Sequence, residues 1–342
     1  MDMTSMHPRR TDGREPTAVR PYPSHSAKSA LSYEASGSTL PSANDHVILN
    51  NNRADTLIDK SDIWSRAAVL ICAAVSCQTP LAAQSGTPNS EWPDVTNTGA
   101  PSHLTLSQSD GMILTKAGTI SSGLDIHGDV LIKADNVTLE NCRVTSNGWA
   151  VVQIQSGVTG AVVQNCRLDG TGSAPDGTGN QGIMGHGKFL RNNIYNVENG
   201  IVVTGNDTVI DGNYIHDLKA GGAPHYDGIQ VDGGVSGLTI RHNTIINSHD
   251  SAGAIMIDND FGPISNVSID NNLLAGGSFT IYSDAKFNSN PITGVSITNN
   301  HIAPGRYGSR LFRGNSPTYT GNSYDGAALL RALKLTEPRA AK

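Results

Sequence analysis

The stretch that decides the fold is Phe189-Leu190-Arg191-Asn192-Asn193-Ile194, because the chain repeats its pattern 21 residues later as Ile210-Asp211-Gly212-Asn213-Tyr214-Ile215. The pattern, apolar-x-x-Asn-x-apolar, occurs twice before it, as Leu139-Glu140-Asn141-Cys142-Arg143-Val144 and Val163-Gln164-Asn165-Cys166-Arg167-Leu168. It occurs four times after, around Asn243, Asn272, Asn300 and Asn322. The fourth column reads Cys142, Cys166, Asn192, Asn213, Asn243, Asn272, Asn300, Asn322, with spacings of 24, 26, 21, 30, 29, 28 and 22 residues. Such a period with variable insertions marks a solenoid. The runs between the Asn positions are short, β-branched and alternating, as in Val137-Thr138-Leu139, Ile201-Val202-Val203 and Val267-Ser268-Ile269. Alternation bounded by Gly, Asn and Asp is a strand signature, and no repeat holds an amphipathic helix. Each repeat is therefore one coil of a parallel β-helix of eight to nine coils. At each bend Asn is expected to take the left-handed conformation and bond local backbone. One coil apart, at about 4.8 Å, the amides would also bond each other up the column. Cys142 and Cys166 share that column, either as two small buried side chains or as a disulfide.

Working outward, the composition agrees. The chain has 342 residues, a net charge of -6, 37 glycines and only 5% aromatics. Charged residues are 16%, against about 25% in an ordinary globular chain. That charge is too low for a disordered polyelectrolyte and too acidic for a general nucleic-acid binder. No apolar run approaches the roughly 20 residues of a membrane span.

Residues 1–59 are rich in Ser, Pro, Arg and Thr without hydrophobic period, and read as a disordered extension. Lys60 and Arg66 then precede the apolar run Ala67 to Val75, followed by Leu81-Ala82-Ala83. This is the layout of a secretory signal over 60–83, with cleavage expected after Ala83 and lipoprotein-style processing at Ala74-Val75-Ser76-Cys77 as the alternative. A signal so far inside the chain suggests translation from a later, non-Met codon such as that of Val47 or Leu57. Residues 84–117 are read as linker and N-terminal cap, 118–325 as the solenoid, and 326–342 as a capping helix and tail. The expected product is a secreted monomer.

The Asn-column coils, with Trp92-Pro93-Asp94-Val95-Thr96-Asn97-Thr98-Gly99-Ala100-Pro101 leading to Leu124-Asp125-Ile126, resemble the right-handed parallel β-helix of the pectate-lyase-like superfamily over residues 90–325. The resemblance implies an all-β, single-stranded, right-handed coil and a polysaccharide partner. It leaves the activity open, since the superfamily includes polysaccharide lyases, glycoside hydrolases, epimerases, phage tail spikes and non-catalytic members.

The chemistry is expected where acid accumulates. Residues 200–290 hold ten Asp, no Glu and three basic residues, whereas 291–342 hold seven basic and two acidic. The longest insertions, Gly170 to Gly182, Leu218 to Asp227 and Ser248 to Gly253, lead into strands of this region. Aligning Ile229 and Val231 with Ile255 and Ile257 turns Asp232 and Asp258 outward, one above the other. The column should continue through Tyr282 or Asp284 to Arg313. Carboxylates one coil apart suit a retaining glycosidase, which needs about 5–5.5 Å, and two coils apart more nearly an inverting one, which needs about 6.5–9.5 Å. Such carboxylates must share a proton or a cation. The catalytic candidates are therefore Asp232, Asp258, His225, Asp227, Lys286 and Arg313, with Gln230, Tyr226, Tyr282 and Arg310 contacting the sugar. The cation alternative is Ca²⁺ on Asp232, Asp258, Asp260 and Asp284. Lysis would use a neutralised uronate and a base such as Lys286, Arg310, Arg313, His225 or Tyr282. Gly185-His186-Gly187, a fragment also seen in polygalacturonases, reads as a turn coils before the Asp cluster. Hydrolase, lyase and a non-catalytic glycan-binding protein all remain open at this stage.

Overall fold

The computed structural model describes residues 92–172 and 179–324. The extension 1–59, the signal at 60–83, the helix and tail at 326–342 and part of the Gly170 to Gly182 insertion lie outside the described residues. Within them every named element is a strand. No helix there is long and apolar enough to cross a membrane.

Each coil contributes three short strands in fixed order. The first belongs to a nine-stranded parallel sheet running from Ile120–Ser122 to Thr318–Thr320, here called the ladder sheet. The chain then bends through the Asn column into a rear sheet, from Arg143–Thr145 to His301–Ala303. After a loop it enters a front sheet, from Ala150–Ile154 to Gly308–Arg313. Rear and front sheets join at one place, where Leu124–Ile132 serves both: Asp125–His127 pairs with Arg143–Thr145, and Val130–Ile132 with Val152–Ile154. The strand turns that corner at Gly128, whose φ is +125° and where a Cβ would stand 3.1 Å from Gly111 backbone. The inward positions Ile126, Leu139, Leu168, Phe189, Ile210 and Ile240 are fully buried and form one continuous core, the apolar burial that holds the coils together.

The Asn column is a hydrogen-bond ladder. Asn192 Nδ2 donates to Asn213 Oδ1 at 3.0 Å, and the same bond links Asn213, Asn243, Asn272, Asn300 and Asn322 in turn at 2.9 Å. Each Oδ1 also accepts the backbone N–H of the column residue one coil earlier, as Asn243 does from Asn213 at 2.9 Å. The expected backbone conformation is displaced by one position. The left-handed residue is the one before the column: Asn141, Asn165, Arg191, Gly212, His242, Asn271, Asn299 and Gly321, with φ between 50° and 70°. The column residues themselves are free to point inward and bond along the axis. Cys142 and Cys166 open the column as free, fully buried thiols.

The insertions Leu218 to Asp227 and Ser248 to Gly253 both leave a rear strand and return to a front strand, so they wall the same corner. The segment Ser107–Leu114 pairs with Leu124–Ile132 at the start of the solenoid. Before it, the chain lies along the rear sheet. Trp92 stacks on His242 at 5.5 Å and meets His301 edge-on at 5.2 Å, while the Gly99 N–H donates to the Arg191 carbonyl at 2.9 Å.

Candidate functional site

The front sheet sets the site by register. Ile229, Gln230 and Val231 pair with Ile255, Met256 and Ile257, and Ile255 pairs with Ile281. Asp258 bridges to Asp284, and Asp284 pairs with Arg313. The outward column is therefore Asp232, Asp258, Asp284, Arg313. Tyr282 stands two residues earlier on the same face, in the column of Gln230 and Met256.

Two of these carboxylates lack a cationic partner. Asp258 is 4% exposed, and burial first, then the Asp232 charge, pushes its pKa up to about 8. Burial, then Asp227, pushes Asp232 up to about 6, against a hydrogen bond from Gln230 Nε2 to Asp232 Oδ2 at 2.8 Å. Asp232 Oδ1 is buried with no hydrogen-bond partner among the described residues. Both carboxyls are thus raised, Asp258 further than Asp232, and the two titrate as a coupled pair. Asp227, also buried, is raised by desolvation. It sits where the 218–227 insertion re-enters the front sheet, before Gly228, where a Cβ would stand 2.4 Å from the Ala254 carbonyl oxygen. His225 Nδ1 lies 3.7 Å from both Asp227 Oδ2 and Glu198 Oε1, and its backbone N–H donates to Glu198 Oε1 at 3.0 Å.

Several expected members serve otherwise. Asp284, 1% exposed, is held by Arg313, whose Nε donates to Asp284 Oδ2 at 2.8 Å. This pairing takes both out of the roles of free carboxylate ligand and free cation. Asp260 shapes the turn, its N–H donating to Asp258 Oδ1 at 2.9 Å. Among the described residues no three His, Cys, Asp or Glu side chains are grouped to hold a metal ion. Arg310 is not on the groove. It stacks above Ile281 in the inward column of the last coil, with its guanidinium 4.1 Å from the Tyr319 ring centre. Tyr226 is spent on structure, its ring stacked flat on His249 at 3.6 Å. Lys286 is exposed on the turn after Asp284 and gives its backbone N–H to that carboxylate at 3.1 Å. Tyr282 is half-buried on the outer face of the front sheet, with its phenol pushed up to about 12, chiefly by burial.

Sequence reading missed Glu198 and Phe261. Glu198 occupies in its own coil the place that Tyr226 occupies in the next, a match visible once Ile201 is paired with Ile229. Phe261, 67% exposed, follows Asp260, and its N–H donates to the Asp232 carbonyl at 2.6 Å. An aromatic one residue past an Asp-Asn-Asp turn was the available signal. Gly185-His186-Gly187 lies two coils before Asp232, as its position in the repeat predicts.

Residues 178–329 match the family model of the right-handed β-helix region. No curated protein and no solved structure matches the chain. With parallel three-strand coils, a buried Asn ladder and the family match over 178–329, the described residues form a right-handed parallel β-helix.

Proposed function

We propose that the protein is a secreted glycoside hydrolase that cleaves a polysaccharide lying on the front sheet. The observation that carries this reading is the stacking of two carboxyls in neighbouring coils, Asp232 and Asp258, both pushed up by burial, to about 6 and about 8. Environments that push a pair apart in this way assign an acid and a base. Asp258 protonates the leaving glycosidic oxygen as that bond breaks. Asp232, ionised, attacks the anomeric carbon and forms a glycosyl ester. Asp258, now a carboxylate, takes a proton from water as the water displaces Asp232, so both groups return to their starting states. A one-coil offset of about 4.8 Å favours this retaining course over inversion. His225, Glu198 and Asp227 border the same site and would bind sugar hydroxyls.

A lyase is less well served, because Arg313 is neutralised by Asp284 and, besides His225, the charges that act on Asp232 are acidic. The test is digestion of neutral and acidic polysaccharides, followed by reducing ends and by ultraviolet absorbance of unsaturated uronate. New reducing ends without that absorbance are expected, with the first-formed anomer retained. Unsaturated products would replace hydrolysis by elimination. Neither signal on any substrate would leave a glycan-binding protein.

A further inference from the structure

The outer face of the front sheet continues well beyond the Asp pair. One outward column runs Ile113, Leu131, Gln153, Met184, Val202, Gln230, Met256, Tyr282, Leu311, each in register with the next. It carries no charge over its whole length. At its N-terminal end it opens into a pocket of about 280 Å³, bounded by Met112, Ile113, Leu131, Trp149, Asp129 and Gln153. Trp149 is 54% exposed and Ile113 60% exposed. Neither is placed there by the needs of the core, whose inward positions in these coils are Val130, Ile132, Val152 and Ile154.

An exposed indole beside a carboxylate and an amide is a sugar-binding combination. The ring covers the C–H face of a pyranose, and Asp129 and Gln153 offer an acceptor and a donor to its hydroxyls. Gln153 is in the same column as Gln230, three coils away, or about 14 Å. A coil rise is close to the length of one sugar in an extended chain, so a glycan along the axis would keep step with the column. Charge narrows the class. The carboxylates around this face are Asp129, Asp227, Asp232 and Asp258, of which Asp227 has His225 Nδ1 at 3.7 Å; Arg313 is bound to Asp284, and Lys286 is exposed on the turn that follows. A polyuronate would meet its own sign of charge along the groove, while a neutral chain meets apolar side chains and hydrogen-bonding groups.

We propose that the Trp149 pocket is a distal subsite for a neutral polysaccharide whose chain runs along the front sheet to the Asp232–Asp258 pair. The direction of the chain, though not the pocket itself, rests on the hydrolase reading above. Titration calorimetry of the full chain with cellohexaose, mannohexaose, xylohexaose and hexagalacturonate tests the proposal. At least one neutral hexasaccharide should bind and hexagalacturonate should not. Trp149→Ala should weaken that binding about three- to tenfold, the range of one aromatic stacking contact, and Trp149→Phe should restore most of it. In kinetics, Trp149→Ala should raise KM for the hexasaccharide and leave the disaccharide unchanged. Binding that ignores Trp149→Ala, binding of hexagalacturonate alone, or no binding of any neutral hexasaccharide would overturn the proposal. Trp149-dependent binding without new reducing ends would instead uphold the subsite and overturn the hydrolase reading.

Discussion

Asp125 and Asp258 are alike in type and burial, 1% and 4% exposed, yet the fold treats them in opposite ways. Asp125, on the rear sheet, receives Arg143 Nε at 2.7 Å and a second bond from the same guanidinium, and Arg143 holds its carboxyl below the usual range. Asp258, on the front sheet, faces Asp232 instead and is pushed the other way. Burial raises both, and the partner decides the outcome. A buried carboxylate in this solenoid is therefore structural where the register supplies Arg and chemically poised where it supplies a second Asp. Asp284 with Arg313 is a further example of the first kind.

The sharpest way to break the comparison is activity. Asp258→Asn should lower kcat by about 10²–10⁴-fold, the value of a positioned general acid, while Asp125→Asn leaves kcat unchanged in assays on the same substrate. Equal losses would mean that partner type does not distinguish the two. Stability follows next. Removing one rung of the ladder with Asn243→Ala leaves the Asn213 N–H and amide without their acceptor, and should cost about 2–3 kcal/mol in urea unfolding. Arg143→Ala should cost about 1 kcal/mol, discounted because the Arg143 side chain is half exposed.

The pH dependence separates the two carboxylates by sign. Asp232 and Asp258 have raised folded-state values, so the native state binds more protons than the unfolded chain between about pH 4 and 8. Their contribution to stability is full below about 4 and is lost as pH rises through about 6 and about 8. Asp125 is depressed, so its contribution is present above about 4 and is lost as pH falls below that. Unfolding midpoints across pH should therefore decline towards alkaline pH, and Asp258→Asn should flatten that limb without touching the acid one. The smallest expected change is in the titration itself. Asp232→Asn removes the neighbouring charge and should bring the Asp258 pKa down from about 8, read by carboxyl NMR, with burial keeping it above the ordinary value.

The fold was legible because a ladder needs the same side chain at the same bend in every coil, and six Asn in one column are hard to produce otherwise. The position of the left-handed residue was not, since Asn141, Asn165, Asn271 and Asn299 lie beside the ladder and carry the same letter or flank it. The Asp232–Asp258 stack was legible from the paired isoleucines before each. Arg310 was not, because alternation identifies inward positions by their apolar type, and in the last coil that position has no further coil above it among the described strands. Glu198 holds the repeat position of Tyr226 one coil earlier, but the two share no side-chain type, and only the folded turn shows that it meets His225.

That last inward position has a further consequence. The end of a parallel solenoid is a row of open strand edges, suited to growth by another chain. Among the described residues the outermost front strand, Gly308–Arg313, carries Arg310 in line with Ile201, Ile229, Ile255 and Ile281. A second molecule stacking end to end in register would have to bury that guanidinium in an aliphatic stack with no acid to meet it. In the single chain that guanidinium rests on Tyr319 and Phe312 instead, contacts it would give up in such a stack.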